Sequence, residues 1–236
     1  MEPITGLSPR ALLFLLAAVV LGVVASTVAT TVAGEGQPGC PDDRYGCATF
    51  LAGEPVLVGV LTPRDDVVQA VRLAVELRGA RLQGRRVRIL HWNDSCTPEG
   101  GSSGARELAT DAPDEPPVIG GVAATCPEAA APAAQILSDS GIALTLLGEA
   151  RLPAGTGDPR YALRPGQASP GRLEAWETAY TQQFGPPTRA AVAAAYAADA
   201  MLDAAATVAE ERDGSLLVPR TPLRDRLLAA GFRRLA

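Results

Sequence analysis

Short apolar runs alternate with stretches of helical spacing between residues 55 and 148, and this alternation limits the fold more than any other feature. The runs are PVLVGVL (55–61), RRVRILHW (85–92), PVIGGVAAT (117–125) and IALTLLG (142–148). Helices are predicted between them over 65–79, 100–111 and 127–141. The order β-α-β-α-β-α-β with short connections predicts an α/β fold, a three-layer doubly wound parallel sheet with right-handed crossovers. Such sheets bind ligands at the carboxyl ends of their strands.

Beyond Gly148 the alternation stops, and the chain is rich in Gly and Pro before it returns to helical patterns. One short strand is predicted around 161–164. Helices are predicted over 172–185, 188–211 and 222–232. The second of these is rich in Ala and is interpreted as a core helix, with an interface helix as the alternative. The acidic run at 210–213 is interpreted as its exposed end.

The segment 11–33 is apolar, carries no charge and is long enough to cross a bilayer as a helix. It predicts an N-terminal transmembrane anchor, and a signal peptide cleaved after Ala33 is the alternative. Because Arg10 precedes it, the bulk of the chain is expected outside the cytoplasm, either membrane-anchored or secreted. The expected parts are a cytoplasmic segment (1–10), the anchor or signal (11–33), an extracytoplasmic linker (34–53) and a single-lobe domain (54–236).

The chain has four cysteines, which pair outside the cytoplasm and allow three connectivities. Proximity along the chain suggests a Cys40–Cys47 bond, which leaves Cys96 and Cys126 for each other. The latter two follow the second and third predicted strands, so their bond would join two crossover loops at the ligand edge of the sheet. A metal site is not expected, because His91 is the only histidine and the sequence has no C-x-x-C pair.

Composition and motifs argue against several other functions. The net charge is −5 and no basic patch stands out, so a nucleic-acid partner is not expected. The string GGSSG (100–104) fits the nucleophile pattern G-x-S-x-G, but His91 precedes Ser102, opposite to the order in that class of hydrolase. A glycine-rich helix start explains the same residues, and Asp94 is interpreted as a turn residue. We expect neither enzymatic activity nor a cofactor.

Several segments of the chain match, in the same order, segments of a known protein family. They are GEPVLVGVLT (53–62), AVRLAVELRGARLQGRRVRILHWNDSCTPEGG (70–101) and VIGGVAATCPEAAAPAAQILSDSGIALTLL (118–147). A late helix adds Tyr196, Asp199 and Ala200 in a Tyr-x-x-Asp-Ala pattern. Together they resemble the type I periplasmic solute-binding proteins of branched-chain amino acid uptake, the leucine/isoleucine/valine-binding group. The resemblance implies a bond between the two cysteines of the crossover loops, an amino acid-like ligand and an ABC transporter as partner.

The chain departs from this family at the ligand site and in its length. Family members have two lobes around the ligand, whereas here the segment 161–171 leads almost directly to the returning helices, so a single lobe is expected. The positions that the resemblance places at the ligand are Thr62, Thr125, Cys126, Pro127, Glu128, Leu146 and Glu149. Several hydroxyls of the family are replaced, Pro127 lacks an N–H donor, and Glu128 adds a charge like that of a ligand carboxylate.

These patterns predict an extracytoplasmic domain similar to solute-binding proteins of amino acid transport, with a degenerate ligand site. A cationic ligand held by Glu128 and Glu149 is a weaker alternative. A transporter or another protein would be the partner, and it could supply the missing half of the clamp. The alternative function is a membrane-anchored sensory or protein-interaction module that binds no small molecule, and a truncated gene product is a third interpretation.

Overall fold

The computed structural model describes residues 40–110, 116–148, 152, 159–166 and 171–235. They belong to a unit that spans Pro38–Ala236. The predicted transmembrane segment 11–33, the segment 1–10, part of the predicted linker and Glu149 lie outside the described residues.

The strands form two sheets. They are β1 (Cys47–Phe50), β2 (Val56–Leu61), β3 (Arg81–Leu82), β4 (Arg85–Trp92), β5 (Val118–Ala123), β6 (Ala143–Leu146), β7 (Ala162–Arg164), β8 (Glu210–Arg212), β9 (Ser215–Pro219) and β10 (Arg233–Arg234). The main sheet has the order β10-β7-β6-β5-β2-β4-β3. Strands β4, β2, β5, β6 and β7 run parallel, and the two short edge strands β3 and β10 run antiparallel to their neighbours. The prediction of a mostly parallel α/β sheet is confirmed.

Helices cover both faces of this sheet. They are α1 (Asp65–Leu77), α2 (Pro98–Ala109), α3 (Pro127–Asp139), α4 (Glu174–Phe184), α5 (Arg189–Val208) and α6 (Arg220–Ala229). Apolar residues of α1, α4, α5 and α6 share one core cluster with one face of β2, and α2 and α3 share a second cluster with the other face. The three-layer arrangement therefore follows from helices that return to alternate faces of a twisted sheet.

Helix α5 is a core helix, as its alanine-rich sequence predicts. Small side chains such as Ala194 and Ala198 are fully buried, and Met201 reaches Gly120 of the central sheet. Within the described residues this helix alone is long and apolar enough to cross a membrane, but 61% of its apolar window is buried inside the protein. Burial against the sheet accounts for its apolar composition.

The second sheet corrects two predictions. Strand β1 lies within the segment expected to be a linker, and its Phe50 is completely buried. In the run at 210–213, which was expected to be a helix end, Glu210–Arg212 form β8, and β8 pairs with β9 in a hairpin. Asp213 and Gly214 both have positive φ, which is the turn geometry that matches the twist of paired strands. The Asp-Gly pair is a sequence signal for such a hairpin, but the helical pattern of the preceding residues favoured a helix over 188–211.

The glycine-rich string at 100–104 lies inside α2, where it allows close packing. A Cβ on Gly101 would approach the carbonyl oxygen of Ala129 in α3 to 2.2 Å, and one on Gly104 would approach the Leu61 side chain to 2.4 Å. The hydroxyl of Ser102 donates to the carbonyl of Pro98 one turn earlier. Close helix contact, rather than a nucleophile turn between a strand and a helix, accounts for these residues.

Candidate functional site

The carboxyl ends of β2, β5 and β6 meet at one edge of the main sheet. Their loops at 62–64, 124–127 and 147–148 are tied together by backbone bonds, among them Ala124 N to Leu61 O at 3.2 Å and Leu147 N to Ala123 O at 2.8 Å. They surround an open depression of about 490 Å³. Its lining residues are Pro63, Arg64, Cys96, Ala124, Thr125, Cys126, Pro127, Leu147, Gly148 and Ala190.

Both predicted disulfides form, Cys40 with Cys47 and Cys96 with Cys126. Because β2 lies between β4 and β5, the second bond joins the two loops that flank the end of β2. The backbone at Cys96 has a positive φ of 57°, which is uncommon for a residue with a side chain. Asp94 supports this turn, since it is fully buried and its Oδ1 accepts the N–H of Cys96 at 2.9 Å. The disulfide therefore fixes one wall of the depression.

Thr62 is fully buried, beneath the depression and not on its surface. Its hydroxyl donates to the carbonyl of Ala124 at 2.7 Å and accepts the N–H of Arg64 at 3.1 Å. Its own N–H donates to the carbonyl of Trp92, and its carbonyl lies 3.0 Å from Nε2 of the exposed His91. With these groups engaged, Thr62 holds the loop after β2 against the end of β5 and has little capacity left for a ligand.

Thr145 is another fully buried threonine, and its hydroxyl has no partner among the described residues, so the two threonines are expected to contribute differently to stability. Thr62→Val is expected to lower the free energy of unfolding by about 2 kcal/mol, because it leaves buried backbone groups unpaired. Thr145→Val is expected to raise it by about 1 kcal/mol, because it removes a hydroxyl that is buried without a hydrogen bond. Urea unfolding of both variants measures the difference, and equal effects would contradict the assignment.

Three of the other predicted ligand positions come together at the depression, namely Thr125, Cys126 and Pro127. The hydroxyl of Thr125 is buried in this wall and has no hydrogen-bond partner among the residues that the structure describes. Pro127 is the first residue of α3 and offers no N–H. The carbonyl of Cys126 accepts the N–H groups of Ala129 and Ala130 that follow in the first turn.

The remaining predicted positions lie elsewhere. Leu146 is 1% exposed and packs into the core cluster beneath α2 and α3, while its neighbour Leu147 lines the depression. Glu128 is exposed in the first turn of α3 and is not among the lining residues. Glu149 lies outside the described residues. Within the part of the chain that the structure describes, no group of acidic, histidine or cysteine side chains is placed to hold a metal ion.

Arg64 is a lining residue that the sequence patterns did not single out. Its Nε and Nη2 bond the two carboxylate oxygens of Asp66 at 3.0 and 2.7 Å, and Nη2 also reaches the Thr188 hydroxyl at 3.3 Å. The hydrogen bonds from Arg64 hold the pKa of Asp66 below its ordinary value, and those to Asp66 raise the pKa of Arg64. Thr188 is 124 residues away along the chain, so no local pattern reveals this arrangement.

The Tyr-x-x-Asp-Ala helix has a structural role away from the depression. Asp199 binds Arg78 at the end of α1 and Arg172 before α4, each at 2.7 Å. Arg172 also lies over the ring of Tyr196, 5.6 Å from its centroid. Asp203 bonds the same two arginines. This network of ion pairs joins α1, α4 and α5 on one face of the sheet.

Comparison with solved structures identifies the class of fold as that of type I periplasmic binding proteins, with this chain matching one lobe. An ABC transporter substrate-binding protein from Desulfitobacterium hafniense matches with a TM-score of 0.52 at 14% identity, over 75% of this chain and 90% of that chain. Its complex with Leu gives 0.53 at 14% identity, over 75% and 89%. A Rhodospirillum rubrum protein assigned to branched-chain amino acid ABC transport gives 0.54 at 13% identity, over 74% and 89%.

These similarities establish the fold, since the sequence identities are too low to carry ligand or partner across. No protein-family model matches the sequence, and no curated protein matches it.

Proposed function

We propose that the chain is an extracytoplasmic solute-binding domain related to branched-chain amino acid ABC transport, and that it binds a small amino acid-like solute in the depression. The observation that supports this most is the hydroxyl of Thr125, which lies at the carboxyl edge of the sheet and has no partner within the described part of the chain. Ligands bind at this edge in doubly wound folds. A structural neighbour with this fold is known in complex with Leu.

We propose further that the affinity is low. Pro127 supplies no N–H, and the hydroxyl of Thr62 is already bonded to Ala124 and Arg64. The depression is open, whereas tight sites bury most of a ligand's surface. A dissociation constant of about 1 mM or weaker is expected for leucine, corresponding to about −4 kcal/mol. A partner that covers the depression would increase the affinity.

Titration of the full chain in mild detergent with leucine, followed by calorimetry and ligand-observed NMR, tests the proposal. Thr125→Val keeps the shape of the side chain but loses the hydroxyl, and it is expected to weaken leucine binding about 10-fold, the effect of one hydrogen bond to a charged group. Thr110→Val is the matched control, because Thr110 is exposed at the carboxyl end of α2, whereas the amino end of α2 follows Cys96 at the depression. Equal binding by both variants would contradict a site at Thr125.

In this proposal, segment 11–33 lies in the membrane, and the partner is an ABC transporter or another membrane protein. The competing proposal is a sensory or protein-interaction module without a small-molecule ligand. The two proposed functions use the same surface but differ in whether it binds a small molecule. The leucine titration therefore distinguishes them, and a wild-type chain that does not bind leucine favours the interaction module.

A further inference from the structure

On the basis of the proposed function, we infer that Arg64 determines the ligand class of the depression, which takes a solute with a carboxylate and recognises that group through the Arg64 guanidinium. The residue lines the depression together with Thr125. It is the one charged residue among the described residues of that lining. Its charge is opposite to that of a carboxylate, and the Nη1 end of the guanidinium, which Asp66 does not occupy, can donate to a carboxylate oxygen.

The side chain of Arg64 is oriented before any ligand binds. Asp66 holds Nε and Nη2 through both of its carboxylate oxygens, and Thr188 contacts Nη2 and also donates to Asp66 at 2.6 Å. These bonds use Nε and Nη2, and among the residues that the structure describes Nη1 has no partner, so its donors are available to another acceptor. An exposed arginine usually samples many rotamers, and fixing it in advance removes part of the entropy cost of binding.

A backbone hydrogen bond also ties the loop of Arg64 to the end of β5 through Thr62. The Arg64 N–H donates to the buried Thr62 hydroxyl, which in turn bonds the carbonyl of Ala124, next to Thr125. The loop that carries the guanidinium is thus tied to the end of β5, next to Thr125. One carboxylate oxygen on Arg64 and the other on Thr125 would replace the hydroxyl donors that the sequence lacks at 127 and 128.

The experiment compares three ligands of similar shape on the full chain: leucine, leucinamide, which lacks the carboxylate, and 4-methylpentanoate, which lacks the amino group. The wild type is expected to bind leucine and 4-methylpentanoate about 10-fold more tightly than leucinamide. Arg64→Gln is expected to weaken binding of the two carboxylates about 10-fold and to leave leucinamide within about two-fold. Arg106→Gln, at an exposed arginine on α2, is the control for charge and for detergent partitioning.

A second variant guards against a folding defect in Arg64→Gln. Asp66→Asn keeps the arginine charge and removes the carboxylate that competes for it, so this variant is expected to retain more carboxylate binding than Arg64→Gln does, with all variants checked by thermal unfolding. If Arg64→Gln binds leucine like the wild type, or if leucinamide binds as well as leucine, the inference is wrong while the proposed function stands. If the wild type binds none of the three ligands, both are wrong.

Discussion

Replacing Cys96 and Cys126 together by alanine is expected to lower the free energy of unfolding by about 3.6 kcal/mol, because their bond closes a loop with a sequence separation of 30 residues and restricts the unfolded chain. The bond also joins the loops on either side of β2, so its removal is expected to loosen the wall of the depression that contains Thr125. Urea unfolding of the full chain, followed by circular dichroism, measures the change.

The first disulfide provides the matched control. Cys40 and Cys47 are separated by 7 residues, so their replacement by alanine is expected to cost about 2.4 kcal/mol by the same relation. The Cys96/Cys126 variant is also expected to lose more of the leucine binding. A larger loss of stability from the Cys40/Cys47 variant would show that loop closure does not govern the contribution of these bonds.

Gly101→Ala is expected to lower the free energy of unfolding by about 3 kcal/mol, the upper part of the range for overpacking in a core. The added Cβ would lie 2.2 Å from the carbonyl oxygen of Ala129 and 2.8 Å from its Cα, and these are backbone atoms of α3 that cannot rotate away. Helices α2 and α3 must therefore separate, which opens the core cluster between them and the sheet. Thermal and urea unfolding measure the effect.

Ser103→Ala is the control in the same helix. Ser103 is exposed, and alanine has a higher helix propensity than serine, so the variant is expected to gain up to about 0.5 kcal/mol. The contrast separates the effect of packing from that of helix propensity, which favours alanine over glycine at an ordinary helix position. Unchanged or increased stability of Gly101→Ala would contradict the close approach of α2 and α3.

Local patterns predicted the order of the elements well. The second strand, β4, has the predicted bounds at Arg85–Trp92, and α1 and α3 start at the predicted residues. Helix α2 begins two residues earlier than expected, because the Thr97 side chain caps it and Pro98 suits its first turn. Such signals act within a few residues, so they can be read along the chain.

The candidate site was predicted less completely, because its chemistry depends on contacts between distant segments. Thr62 was expected at the ligand, and the structure shows that its hydroxyl bonds the carbonyl of Ala124, 62 residues away. Local sequence patterns do not reveal Arg64 as a site residue, because its orientation depends on the distant Thr188. Leu146 is the last residue of β6 and Leu147 follows it directly, and because successive side chains point to opposite faces, the second of them lies at the depression.

Periodicity, glycine and proline positions and the spacing of the cysteines were enough to specify an α/β chain with paired crossover loops, since each is a property of neighbouring residues. Other features became visible only in the assembled fold. They are the position of β2 between β4 and β5, the sheet of β1, β9 and β8, the contact of Gly101 with Ala129 and the fixed guanidinium of Arg64. The physical reason is that these features are contacts across tens of residues, whose partners are chosen by the packing of the whole sheet and its helices.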